Sequence, residues 1–248
     1  MELNNQKSSL IIVLVEPSGP INLGSVARLC ANFNVDELRA VSPTCNSNDP
    51  NAQKMSVKGK RFLNEMKTFN SLIEALEDCH KVIATCGRID HGSIPLEAPE
   101  EGINWLSKYS NLERIALVFG REDRGLTNEE LLLAHKVITI NSSSHYPSLN
   151  ISHSVGILLY ELRKKQNKQN NLLDVNTDSM STPKQLNDFI IDTKELLIEV
   201  GFLLSHTAKA RMSKIKSLLN RAEITSEEVS LLRGIVRQVR WAIRSRRS

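Results

Sequence analysis

The chain has 248 residues, of which 40% are hydrophobic and 24% charged, the composition of an ordinary globular protein long enough to bury a core. Its longest apolar run near the start, Leu10 to Val15, is far shorter than a membrane span and precedes no small-residue cleavage pattern, so a cytoplasmic protein without a membrane segment is expected. The net charge of +4 is modest but uneven: 14 Lys and Arg against 9 Asp and Glu from Gln166 onward, and 18 against 19 before it.

In chain order, the apolar runs Leu10–Val15, Leu38–Val41, Lys81–Thr85, Arg114–Phe119 and Val137–Ile140 read as strands. Helical patterns separate them, and that alternation predicts an α/β fold with a mostly parallel sheet. Ligands of such sheets bind beyond the carboxyl ends of the strands, so the segments after Val15, Thr85, Phe119 and Ile140 are where chemistry is expected. Asn22 is placed to cap a helix whose buried stripe is Val26, Leu29, Cys30 and Phe33. Thr127-Asn128-Glu129-Glu130 reads as a capping box, and Asn150 or Ser152 opens a helix carrying Val155, Leu158, Leu159 and Leu162.

The polar stretch 166–181 reads as a linker between a unit of residues 1–165 and an all-helical extension, 182–248. In the extension, Thr182-Pro183-Lys184-Gln185 and Thr225-Ser226-Glu227-Glu228 have the pattern of helix starts. The last helix carries an apolar stripe of Leu232, Ile235, Val236, Val239 and Ile243 beside a row of Arg233, Arg237, Arg240 and Arg244, followed by Arg246 and Arg247. Planar, permanently charged guanidinium groups in a row suit phosphate contacts, so this row is expected to meet a polyanion; a solvated basic helix end is the alternative.

Cys30, Cys45, Cys79 and Cys86 form no C-x-x-C pair, and the six histidines are scattered, so no zinc site is expected. There is no G-x-G-x-x-G after a strand, no phosphate-loop motif and no G-x-S-x-G elbow, which argues against nicotinamide, nucleotide-triphosphatase and serine-hydrolase chemistry. Aromatic residues make up only 4%, which argues against an extended base-stacking platform. The basic segment Lys54, Lys58, Lys60, Arg61 suits either RNA phosphates or plain solvation.

Three patches stand out at the expected strand ends: Asn22-Leu23-Gly24-Ser25-Val26-Ala27-Arg28, Val118-Phe119-Gly120-Arg121-Glu122-Asp123-Arg124-Gly125-Leu126, and Tyr146-Pro147-Ser148-Leu149-Asn150-Ile151-Ser152. In that order they resemble the three motifs of the SpoU/TrmH-type RNA 2′-O-methyltransferases of the SPOUT class. The resemblance implies a trefoil-knotted fold, S-adenosylmethionine as cofactor and a homodimer with the site at its two-fold interface. It implies that Thr85, Cys86, Gly87, Gly120, Ile140, Pro147, Ser148 and Leu149 line the cofactor pocket. Arg28 is expected to activate the ribose hydroxyl with support from Asn22, and Glu122 to brace the third motif, to which Ser148 and Asn150 belong. Because a guanidinium holds its proton, electrostatic donation by Arg28 to a phosphate and the developing alkoxide is preferred to proton abstraction. Taken singly, each residue has a plainer reading: a surface Arg28, an ion-paired Glu122, and helix caps at Asn22, Ser148 and Asn150.

Leu196–Leu203, Asn220–Glu223 and Val229–Ala242 are similar to the C-terminal extension of the TrmJ subgroup, which methylates the pyrimidine at position 32 of the tRNA anticodon loop. RNA is then expected to meet Arg28, Arg121, Arg124 and the Arg233, Arg237, Arg240, Arg244 row. Ribosomal RNA or another tRNA position is the alternative target, and a non-catalytic RNA-binding module the alternative class.

Overall fold

The computed structural model describes residues 9–87, 94–106, 114–143, 148–169 and 180–245. Its centre is β1 (Ser9–Val15), whose last five residues are all buried. Alternate residues face opposite sides of the sheet. Ile12 and Leu14 belong to one apolar cluster, and Ile11, Val13 and Val15 to a second. Both faces are therefore covered, which is why the strand reads as an unbroken apolar run rather than an alternating one. Each such side chain removed from water contributes about 1.5–3 kcal/mol.

Five further strands, β2 (Glu37–Val41), β3 (Lys67–Phe69), β4 (Lys81–Thr85), β5 (Arg114–Phe119) and β6 (Lys136–Ile138), complete a sheet in the order β3-β2-β1-β5-β4-β6. Every pairing is parallel. The chain builds outward from β1 to β3, then restarts at β4 on the other side, so strand order reverses between β1 and β5. Their carboxyl ends frame the crevice where ligands of such sheets bind. The three-residue β3 was not expected, since Lys67 and Thr68 are exposed and leave it no apolar pattern. The last strand ends at Ile138, because Thr139 donates from its backbone N–H to Glu97 O rather than to a neighbouring strand.

The helices beside the sheet are α1 (Pro20–Asn32), α2 (Pro50–Ser56), α3 (Lys60–Asn64), α4 (Leu72–Ala75), α5 (Pro99–Leu106), α6 (Asn128–Leu131) and α7 (Ile151–Gln169). The last of these runs into the stretch expected to be a linker. Gly24 lies where α1 meets α2: a Cβ there would sit 2.4 Å from Ala52 O. α6 opens on the expected capping box, with Thr127 Oγ1 accepting from Glu130 N and Glu130 accepting from Thr127 N.

Three helices follow: α8 (Pro183–Glu199), α9 (Ser205–Arg221) and α10 (Ser226–Ser245). Capping boxes at Thr182/Gln185 and Thr225/Glu228 start α8 and α10 as expected. The three share an apolar cluster that includes Leu186, Phe189, Met212, Val229 and Val236. They dock on the sheet half through Asn220 Nδ2, which donates to Leu132 O and Ala134 O at 3.0 Å each, and through the half-buried ring of His135. That ring accepts from Val82 N at its Nδ1 and so donates from Nε2 to Ser181 O; burial lowers its pKa, keeping it neutral.

The apolar stripe expected on α10 divides. Leu232, Val236 and Ile243 pack, whereas Ile235 and Val239 are exposed beside Leu231 and Trp241. An acidic row on α8 pairs with Arg233 and Arg240 beside the packed edge of the stripe, and the opposite edge faces outward. No helix among the described residues is long and apolar enough to cross a membrane, and no cluster of side chains there has the makings of a metal site.

Candidate active site

The site starts from the loop that leaves β1. Glu16 adopts a positive φ of 46°, and Pro17-Ser18-Gly19 leads to Pro20, whose fixed φ suits the first helical position of α1. Gly19, not Asn22, is therefore the N-cap. Asn22 lies inside the first turn, which leaves its side-chain amide to be held by distant residues rather than by its own helix.

Those residues come from the other two motifs. The loop after β5 doubles back on itself: Gly125 has φ 67°, its N–H donates to Arg121 O at 3.0 Å, and a Cβ on Gly120 would lie 2.4 Å from both Gly125 C and Leu126 N. At Gly120 there is no room for a Cβ, and the left-handed φ of Gly125 favours glycine. The fold of the loop aims Glu122 at the start of α1, where a carboxylate is favoured by the helix dipole. One oxygen accepts from Gly19 N at 3.2 Å and Asn22 Nδ2 at 3.3 Å, and the other from Ser18 Oγ at 3.2 Å and Ser18 N at 3.4 Å. Asn22 Oδ1 in turn accepts from Asn150 Nδ2 at 2.9 Å. Asn150 caps α7 with its own Oδ1, which takes Ser152 N at 2.9 Å and Ser152 Oγ at 2.8 Å. A single polar chain, Glu122–Asn22–Asn150, thus ties the start of α1 to two loops 100 and 128 residues further along the sequence.

Beside it opens a cavity of about 390 Å³ at the carboxyl ends of β4, β5 and β6, within the range of small-molecule sites. Thr85, Cys86, Gly87, Gly120, Ile140, Ser148 and Leu149 all line it, as do Glu122 and Arg124. Pro147 lies outside the described residues. The lining mixes main chain and small side chains with the apolar Phe119, Ile138 and Leu149, and its two arginines, Arg121 and Arg124, are matched by Glu122 and Asp123, which suits a flat heterocycle better than a polyphosphate.

Arg28 is exposed and does not line this cavity. It faces a separate groove between α1 and α7 with Ser25, Leu29, Met55, Ser152, Gly156 and Tyr160. The structure thus joins Asn22, Glu122 and Asn150 and sets Ser148 on the cavity, but leaves Arg28 one helix face away.

Arg121, expected on RNA, has a side chain only 9% exposed and lies along the cavity while its guanidinium is held by the protein itself. It bonds Glu16 at 2.6 Å, both oxygens of Glu130 at 2.9 Å and Gly125 O at 3.2 Å. The Glu16 hydrogen bond, with that of Glu130, raises its already high pKa, so it is a fixed internal cation. Arg124 stays exposed on the cavity rim while bonding Asp123 and Glu16 at 2.9 Å each.

The expected RNA row on α10 is largely neutralised within the protein. Arg233 pairs with Asp192 at 3.0 Å and Asp188 at 3.8 Å, Arg240 with Glu195 at 3.3 Å and Glu199 at 3.7 Å, and Arg244 with Glu199 at 3.4 Å. Arg237 remains exposed. Sequence reasoning missed Ser18, Glu16 and Glu130; the Glu130 capping box was visible, but nothing local marked its second role as a partner of Arg121.

A parallel sheet with ligand loops at its carboxyl edge, three motif loops joined there and a helical appendage define an enzyme of the RNA-methylating SpoU class. The profile of the SpoU rRNA methylase family matches residues 9–160, and that of the TrmJ tRNA methyltransferase C-terminal domain matches residues 184–248; the chain belongs to the SpoU family, in the branch carrying that C-terminal domain. It is 33% identical over 230 residues to a tRNA (cytidine-2′-O-)-methyltransferase TrmJ of Sulfolobus acidocaldarius, covering 92% of each chain. It is 32% identical over 233 residues to a tRNA (cytidine/uridine-2′-O-)-methyltransferase TrmJ of Salmonella typhimurium, covering 92% of this chain and 95% of that one. The crystal structure of TrmJ from Z. mobilis ZM4 superposes with a TM-score of 0.81 at 25% identity, over 94% of this chain and all of the other.

Proposed function

We propose that the protein transfers a methyl group from S-adenosylmethionine to the ribose 2′-hydroxyl of a tRNA pyrimidine, at position 32 of the anticodon loop, as a cytoplasmic homodimer with the knotted SPOUT chain path. The observation that carries this reading is the Glu122–Asn22–Asn150 chain at the cavity rim, which makes one site of the three motifs. The TrmJ relatives support the tRNA substrate and the 2′-hydroxyl acceptor; position 32 rests on the subgroup's resemblance.

When bound, S-adenosylmethionine supplies an electrophilic methyl on a sulfonium. Thr85, Cys86, Gly87, Gly120, Ile140 and Leu149 would hold it through main chain and small side chains. Glu122 keeps the start of α1 in place, and Asn22 passes that constraint to Asn150 and the third motif. Ser148 on the cavity wall is a hydrogen-bonding group for ribose or cofactor. Arg28 binds the phosphate of the target nucleotide and stabilises the oxyanion that develops at the hydroxyl, without losing its own proton. Arg124 adds positive charge at the rim.

The groove beside Arg28 supports the homodimer: Ile157 and Tyr160 are exposed there, 37% and 59%, around the side-chain-free surface of Gly156. A second copy seated on α1 and α7 covers them and brings Arg28 to an interface, which accounts for its place outside its own protomer's cavity.

The test is incubation with labelled methyl donor and unmodified tRNA, followed by mapping of 2′-O-methyl nucleotides. Label at position 32 is the expected result; label only in ribosomal RNA moves the target, and none in any RNA refutes the reaction. Arg28→Ala should lower kcat about 10²–10³-fold, the scale of losing one oxyanion donor, with tRNA affinity within a few-fold. Full activity would remove Arg28 from its role.

A further inference from the structure

A row of outward-facing cations without acidic neighbours on its own helix lies on α9. Between Ser205 and Arg221 this helix has Lys209, Arg211, Lys214, Lys216 and Arg221 and no acid. Lys216 turns into the protein, and Lys209, though exposed, is paired with the exposed Glu129. Arg211, Lys214 and Arg221 are exposed, and no carboxylate among the described residues pairs with any of them. Their spacings of three and seven residues keep them within one stripe, roughly 15 Å long at 1.5 Å per residue. On α10, by contrast, a phosphate approaching Arg233 or Arg240 meets the carboxylates of Asp188, Asp192, Glu195 and Glu199 that already hold those arginines.

An aromatic ring stands at the end of the α9 stripe. Gly201 turns the chain with φ 76°, Leu203 anchors the corner in the core, and Phe202 between them is 63% exposed, the one exposed phenylalanine of the six. Arg211 Nη1 donates to Phe202 O at 3.4 Å and so fixes the corner to the basic stripe. A bare aromatic beside unpaired cations is the combination that binds unstacked bases together with their phosphates.

We infer that the outer face of α9, through Arg211, Lys214 and Arg221, is the phosphate-contacting surface of the C-terminal unit, and that Phe202 stacks on an unpaired base of the same RNA. This rests on the tRNA reading above and replaces the α10 row as its grip.

The test measures binding of the full-length protein to a tRNA transcript by fluorescence anisotropy at several salt concentrations. The Arg211→Gln/Lys214→Gln/Arg221→Gln variant should lose at least tenfold in affinity at about 0.15 M salt and flatten the log K against log salt slope by about two to three, near 0.7–0.9 per phosphate contact. Arg237→Gln/Arg244→Gln should change the slope by less than one unit. Phe202→Ala should weaken binding of an anticodon stem-loop about five- to a hundredfold, the scale of one lost stacking contact, leave a blunt duplex unaffected, and be rescued by Phe202→Trp. A triple variant with wild-type affinity and slope overturns the surface, as does an equal or larger loss from the α10 pair. Equal loss on stem-loop and duplex overturns the role of Phe202, and so does a Phe202→Ala protein whose oligomeric mass changes. If the triple variant loses RNA while the wild type methylates none, the surface stands and the reaction falls; if the wild type binds no RNA, both fall.

Discussion

Replacing Arg121 by Met tests whether an internal cation holds the motif loop. The guanidinium is 9% exposed and bonds Glu16, which is 30% exposed, and Glu130, which is 18% exposed. Removing one partner of a fully buried pair costs about 3–5 kcal/mol, because the other charge is stranded. Both acids keep some water here, which lowers the expected penalty to about 2–3 kcal/mol. For a chain of this length that is a fall in Tm of about 4–12 °C.

The penalty must also depend on pH. The hydrogen bond from Arg121 holds the Glu16 carboxyl below its ordinary value. Burial pushes Glu130 up, but hydrogen bonds from Arg121 and Thr127 more than offset it. Groups with depressed folded pKa values stabilise above their unfolded pKa, and that contribution fades as pH falls through the folded value. In the variant burial acts on Glu130 without the guanidinium, so protonation relieves it. The gap between wild type and variant therefore narrows from pH 7 toward pH 4. Urea unfolding at several pH values measures it; a penalty under 1 kcal/mol at pH 7, or one that does not change with pH, refutes the reasoning.

Two other substitutions probe the loop and the C-terminal unit. Gly120→Ala places a Cβ 2.4 Å from the main chain of Gly125 and Leu126; it should cost about 1–3 kcal/mol and abolish calorimetrically detected S-adenosylmethionine binding while circular dichroism stays native. Undiminished affinity would contradict the assigned pocket. Burial pushes the amine of Lys216 down to about 8, whereas an unfolded lysine titrates near 10.4, so the unfolded chain binds more protons between those values and stability should rise with pH across that window. Lys216→Met should stabilise the protein at pH 7 by about 1–3 kcal/mol and remove that rise; a destabilised variant would show that the ammonium has a partner worth keeping.

Features that depend on neighbours a few residues apart were legible before any coordinates. Mostly apolar runs marked β1, β4 and β5 because a strand covered on both faces buries nearly all of its side chains. Thr127/Glu130, Thr182/Gln185 and Thr225/Glu228 marked helix starts because a capping box is closed by a side chain and an amide three residues away. The three motifs marked the sheet edge that carries the cavity. β3 escaped because three residues, two of them exposed, have no period, and α9 because its apolar positions are interleaved with lysines and arginines. Tertiary structure decided which polar groups are spent and which are free. Arg121 and Glu16 are 105 residues apart, Arg233 and Asp192 41 apart, so no local pattern told the expected RNA ligands Arg121, Arg233 and Arg240 from cations already neutralised inside the fold. Asn22 has the residue type of a cap, yet Pro20 starts the helix two residues earlier and releases its amide to join Glu122 and Asn150. Hydrophobic periodicity and caps are short-range and can be read along the chain, whereas charge compensation is settled by which side chains meet in space.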